Sequence, residues 1–106
     1  MSHIVIYVTC ADSEEAQKIA GLLLEKDLIA CANILQPHMA IYKWEGAVES
    51  GQEQAMILKT RADLFDEVEQ AICAVHSYEC PCIVAMPVIE GHDPFLQWIN
   101  DQTEAP

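Results

Sequence analysis

Residues 3–26, HIVIYVTCADSEEAQKIAGLLLEK, change hydrophobic period part-way along. His3 to Thr9 are mostly β-branched and aromatic, the composition of a strand. Asp12 is followed three positions later by Glu15, which has the spacing of a capping box. Ala16, Ile19, Ala20 and Leu23 then recur at helical spacing. A strand running straight into a helix opens a βα unit, and the apolar segment LIACANIL, residues 28–35, completes it with a second strand.

Working outward, Pro37 interrupts that strand, and MAIYKWEGAVE (39–49) reads as a further extended piece. The triplet SGQ (50–52) is expected to turn the chain into the strand EQAMILKT (53–60), so that the two long middle segments pair as a hairpin. Leu64, Phe65, Val68, Ala71, Ile72 and Val75 mark one face of a second helix. Asp63 or Thr60 is expected near its start, and it should stop by Ser77 or Tyr78. CPCIVAMPVIEG (80–91) is the last expected strand. Asp93 as N-cap and Pro94 in the first turn open a short closing helix through residues 95–101.

The order is βαββαβα with an extra extended segment at 40–49. Two split βαβ units predict an α+β, ferredoxin-like domain over residues 1–106, with an antiparallel sheet and its two main helices on one face. The segments from Ile4 to Val8, Ala55 to Leu58 and Ile83 to Ile89 are apolar at successive positions, hence on both faces of the sheet. The chain has too few helices to cover the second face, so other copies of it are expected to do so, in an obligate homo-oligomer.

Composition narrows the function. Seventeen acidic residues against five basic ones give a formal charge of −12, which repels phosphate backbones and anionic lipid, so neither nucleic acid nor membrane is an expected partner. The N-terminal MSHIVIYVTCADS has no basic residues ahead of a short apolar run and no small-residue cleavage pattern, so no secretory signal is read and the expected compartment is the cytoplasm. Cys10, Cys31, Cys73, Cys80 and Cys82 are an odd number without a C-x-x-C pair and are expected to be free thiols. Hydrolase, metalloprotease, P-loop and dinucleotide-binding signatures are absent from the sequence, and no enzymatic activity or organic cofactor is expected.

Two groups of residues carry the remaining chemical signal. The stretch HSYECPC, residues 76–82, holds imidazole and thiol donors of the kind that soft and borderline metals prefer. In a strand, Cys80 and Cys82 would sit about 6.5–7 Å apart on one face, too far for two sulfurs on one tetrahedral ion, so they read as strand packing. His76, at the end of the second helix, reads either as a ligand or as a cap for helix carbonyls. Cys10, at the end of the first strand, is a candidate neighbour. His3, His38 and His92 read as surface or cap residues. The other group is aromatic: Tyr42, Trp44, Tyr78 and Trp98 suggest packing or interface anchors, or, for Tyr42, Trp44 and Tyr78 with Lys59 as an enclosed cation, a cleft for a small anionic or aromatic ligand.

Five segments in register, ACANI (30–34), YKWEG (42–46), LKT (58–60), HSYECP (76–81) and PVIEGHDPFLQWI (87–99), resemble the CutA family of divalent-cation tolerance proteins. The resemblance spans nearly the whole chain. It implies a ferredoxin-like fold in a tight homotrimer, an architecture shared with PII signalling proteins, and a role in tolerance to copper and other divalent cations. In members that bind Cu(II), it places a cysteine at the position of Val8 and two histidines at those of Val75 and His76. Only His76 matches, and the ligand set it implies is His76 with Cys10 or Glu79. The competing reading is a PII-like small-molecule sensor or an assembly scaffold.

Overall fold

A computed structural model describes residues 2–103. The elements are β1 (His3–Cys10), α1 (Ser13–Glu25), β2 (Cys31–Ile34), β3 (His38–Trp44), β4 (Ala47–Arg61), α2 (Phe65–Val75), β5 (Ile83–Val88) and α3 (Asp93–Gln102). The main sheet runs β2-β4-β1-β5, with every pairing antiparallel, and β3 pairs with the outer part of β4. Setting β3 aside leaves the expected βαββαβα order.

Register assigns the two faces. Ile4, Ile6, Val8 and Cys10 share a face with Met56, Leu58 and Thr60. This face is buried beneath Ala16, Ile19, Ala20 and Leu23 of α1 and Val68 and Ile72 of α2. On the opposite face α3 covers only one end. His3 Nε2 meets Asn100 Oδ1 at 2.9 Å, Arg61 reaches the Thr103 carbonyl at 3.4 Å, and Lys59 lies 5.6 Å from the Phe95 ring centroid. The rest of that face leaves Val84 51% and Met86 47% exposed, as apolar residues on both faces of β5 foretold. His3, expected at the surface, is buried because α3 folds back over it.

The hairpin differs from expectation. Ser50, Gly51 and Gln52 lie inside a continuous 15-residue β4, and the reversal falls at Glu45–Gly46 instead. Those two residues have φ of 49° and 84°, so this is a two-residue loop with both central residues left-handed, whose twist matches that of the flanking strands. Residues 38–53 therefore form a two-stranded arm projecting from the sheet. The molecule measures 44 × 26 × 23 Å, and its radius of gyration of 14.4 Å exceeds the ~13 Å of a round domain this size.

The ends of the helices follow local chemistry. The Asp12 carboxylate accepts from Glu15 N–H at 2.8 Å, as the sequence predicts. Lys26 closes α1, with Asp27 at φ 57°, and the Leu28 and Asp27 amides donate to the Leu23 and Leu24 carbonyls. This is a Schellman motif built on aspartate rather than glycine. Neither Asp63 nor Thr60 caps α2. Asp63 pairs with buried Arg61 at 2.9 Å, and Thr60 donates to the Leu28 carbonyl at 2.6 Å. A 3-10 turn at Ala62–Leu64 leads into the helix instead. Helix α2 stops before His76. His92, not Asp93, occupies the N-cap position of α3, one residue earlier than expected. β5 begins at Ile83, so Cys80 and Cys82 lie in the loop before it rather than in a strand.

Candidate functional site

Where β1 ends, three donors from three elements converge: Cys10 Sγ, a Glu15 carboxylate oxygen and a His76 ring nitrogen, all within 4.8 Å of one another. Each is placed by ordinary chain geometry. Cys10 is the last inward-facing residue of β1 and is fully buried. Glu15 folds back from the first turn of α1, accepting Ala11 N–H at 2.9 Å through Oε1 and Ser77 N–H at 2.7 Å through Oε2. His76 follows α2 directly. Its Nε2 lies 2.8 Å from the Thr9 carbonyl oxygen, and its Nδ1 accepts Tyr78 N–H at 3.0 Å. A carbonyl can only accept and an amide N–H can only donate, so the ring carries its hydrogen on Nε2.

Electrostatics reinforces this picture. Burial, with the nearby Glu15, Asp12 and Glu53 carboxylates, pushes the Cys10 thiol up to about 12, so it keeps its proton at neutral pH. Burial alone would raise Glu15, but the hydrogen bonds from Ala11 and Ser77 and the proximity of His76 outweigh it and hold the carboxylate below its ordinary value. The donor set of thiol, imidazole and carboxylate suits a borderline divalent cation. A ring N–H held by a backbone carbonyl is also the usual support for a metal-bound imidazole. An ion at this point would replace the thiol proton and one hydrogen bond of the ring, so the trio fits in kind and is occupied by internal bonds in this conformation.

Glu79 does not join the trio. It lines a neighbouring cleft of about 630 Å³ with Tyr42, Trp44 and Tyr78, between the arm and the loop that follows α2. The α1 cap supplies the carboxylate of the trio instead. Lys59 does not line the cleft either. It sits further along β4, with Nζ donating to Asn33 Oδ1 at 2.8 Å. The expected enclosed cation is thus not among the described residues of the cleft, whose charged lining among them is Glu49, Glu53 and Glu79. Tyr78 OH donates to Glu53 Oε2 at 3.1 Å, and burial together with that bond raises the phenol above its ordinary value. Cys80 and Cys82 also border the cleft. Burial and the Glu53 charge push the Cys82 thiol up against a lowering hydrogen bond from Thr9.

The model of the CutA1 divalent ion tolerance protein family matches residues 4–102 of the chain. The chain belongs to the CutA family. A divalent-cation tolerance protein CutA from Archaeoglobus fulgidus is 47% identical over 102 residues, covering 96% of this chain and 99% of the relative. The solved structure of the CutA from A. fulgidus, described as a periplasmic divalent cation tolerance protein, superposes with a TM-score of 0.94 over 96% of this chain and 99% of that one. CutA1 from Oryza sativa superposes with a TM-score of 0.97 at 33% identity, over 100% of this chain and 97% of that one.

Within the CutA frame, two of the three positions where the resemblance places ligands, Val8 and Val75, are apolar. Val8 is fully buried beneath the helices, and Val75 ends α2 partly exposed. Cys10, two residues beyond Val8, faces the same side and reaches the His76 corner. Glu15 is the residue the sequence reading passed over. Its signal was present, because a capping glutamate turns its carboxylate back toward the preceding strand end, where Cys10 lies.

Proposed function

We propose that this CutA-family chain is a divalent-cation-binding protein rather than an enzyme, acting in metal tolerance as a homotrimer, with Cys10, Glu15 and His76 as its ligand set. The observation that carries this reading is the convergence of those three donors within 4.8 Å. Tetrahedral ligands at ~2.0–2.3 Å from an ion stand up to about 4 Å apart, so a small inward movement closes the site. Binding releases the Cys10 proton, and affinity therefore rises with pH. Calorimetric titration with Cu(II) tests this under anaerobic conditions. Cys10→Ala and His76→Ala should each weaken binding at least tenfold, with proton release lost in the cysteine variant. Equal binding by wild type and both variants would remove the trio from consideration.

The trimer reading is supported by apolar surface that a single chain leaves open. Met39 (73%), Ile41 (69%) and Val48 (71%) form an exposed stripe on one side of the arm, and Ile89 is 89% exposed beyond β5. An arm held by only two strands is marginal alone, and its apolar side suits a neighbouring copy. A cytoplasmic setting is supported by five free thiols, whereas the A. fulgidus relative is described as periplasmic. Cell fractionation with a tagged chain decides between the two. Of the small-molecule sensor alternative, the anionic ligand loses its cation with Lys59 outside the cleft, and the aromatic one keeps Tyr42, Trp44 and Tyr78.

A further inference from the structure

The side of the arm opposite the apolar stripe faces the cleft, and its chemistry is of one kind. Pairing of Tyr42 with Glu49 and of Trp44 with Ala47 puts both aromatic rings and the Glu49 carboxylate on that side. Glu53 follows on the same side, and Tyr78 and Glu79 close the opposite wall. Among the described residues, three aromatic and three acidic side chains thus border a space of about 630 Å³, and no lysine, arginine or histidine lines it. His38 stands behind Glu53, at 4.0 Å from its carboxylate.

We infer that this cleft is a binding site for a small organic ammonium ion, separate from the trio. The size falls in the range of small-molecule pockets, roughly 300–1,000 Å³, and is far larger than a bare ion requires. Among the described residues, the only set of three or more His, Cys, Asp or Glu donors close enough to share an ion is Cys10, Glu15 and His76, so the cleft carboxylates do not form a ready metal cage. An alkylammonium group matches what is present. Its spread positive charge is attracted to the negative faces of Trp and Tyr rings, and carboxylates at the cleft edge add long-range attraction. The same carboxylates, in a chain of formal charge −12, repel an anion.

The test titrates the purified protein, in the oligomeric state it adopts, with phenyltrimethylammonium, neutral N,N-dimethylaniline and phenyl phosphate. Binding is followed by calorimetry and by chemical shifts of the aromatic side chains. The ammonium ion should bind at millimolar concentration or below, at least tenfold more tightly than the neutral amine, with no binding of the phosphate. Trp44→Ala and Glu49→Gln should each weaken it by about 3–10-fold, in line with cation–π and surface-charge strengths, while Trp44→Phe retains most of the affinity. Trp44 and Glu49 are both exposed, so the variants should fold, as circular dichroism will show. Cys10→Ala should leave ammonium binding unchanged, which separates this site from the metal reading. Equal binding of the neutral amine, preference for the phosphate, insensitivity to both weakening variants, or no binding at all would overturn the inference.

Discussion

Glu15 and His76 hold β1, α1 and the start of the post-α2 loop together through four hydrogen bonds whose partners are all backbone groups. In Glu15→Gln, one carboxylate acceptor becomes an amide donor facing an N–H. This should cost about 1–3 kcal/mol at neutral pH, the range for unpairing a part-buried charged hydrogen bond. Because the folded protein holds Glu15 below its ordinary 4.5, the stabilisation is complete above that value and is lost as pH falls through the lower folded value. Urea unfolding at pH 7 and again near pH 3 should therefore show a gap between wild type and Glu15→Gln that narrows in acid. Cys10 supplies an independent check. Its buried, protonated thiol should resist iodoacetamide at pH 8 under native conditions, while exposed Cys73 and Cys80 react.

At the level of the element, left-handed backbone at two sites, Asp27 and Glu45–Gly46, sets the shape. Asp27, at φ 57°, closes α1 where glycine costs nothing sterically. It also places a negative charge at the negative end of the helix dipole. Asp27→Gly should stabilise the protein by about 1 kcal/mol, seen as a higher urea midpoint with an unchanged slope. The arm responds in the opposite sense. Gly46, at φ 84°, permits the two-residue reversal, and although a Cβ there would meet no atom within 4 Å, Gly46→Val forces a branched side chain into left-handed backbone. The expected result is faster amide exchange confined to residues 38–53, because β3 pairs with β4 outside the main β2-β4-β1-β5 path.

For the whole molecule, the exposed apolar stripe on the arm and the partly covered face of β5 predict self-association. Light scattering at micromolar concentration should give three times the 11.8 kDa chain mass. Ile41→Glu and Met86→Glu, each placing a charge on exposed apolar surface, should shift the protein to smaller species while leaving far-ultraviolet dichroism largely intact. A monomeric wild type would contradict the proposal. Dissociation of the charged variants without loss of secondary structure would show that the core under α1 and α2 folds on its own.

Local period and capping chemistry in the sequence determined the elements, their order and the one-sided helical cover. They also located the second face that lacks sufficient cover, because Ile4 to Val8, Ala55 to Leu58 and Ile83 to Ile89 are apolar at successive positions and so on both faces of the sheet. Gly51 reads as turn punctuation in the sequence, whereas an unbroken β4 pairs through it and the left-handed pair Glu45–Gly46 reverses the chain. His76 and Cys10 were legible as a corner, since both lie at ends of elements that a split βαβ fold brings together. Only the tertiary structure decided that Glu15 completes that corner, that α3 buries His3, and that Lys59 stands apart from an acidic, aromatic cleft. Each of these depends on how separate elements pack across the sheet, and sequence period fixes which face a residue takes without fixing what another element lays against it.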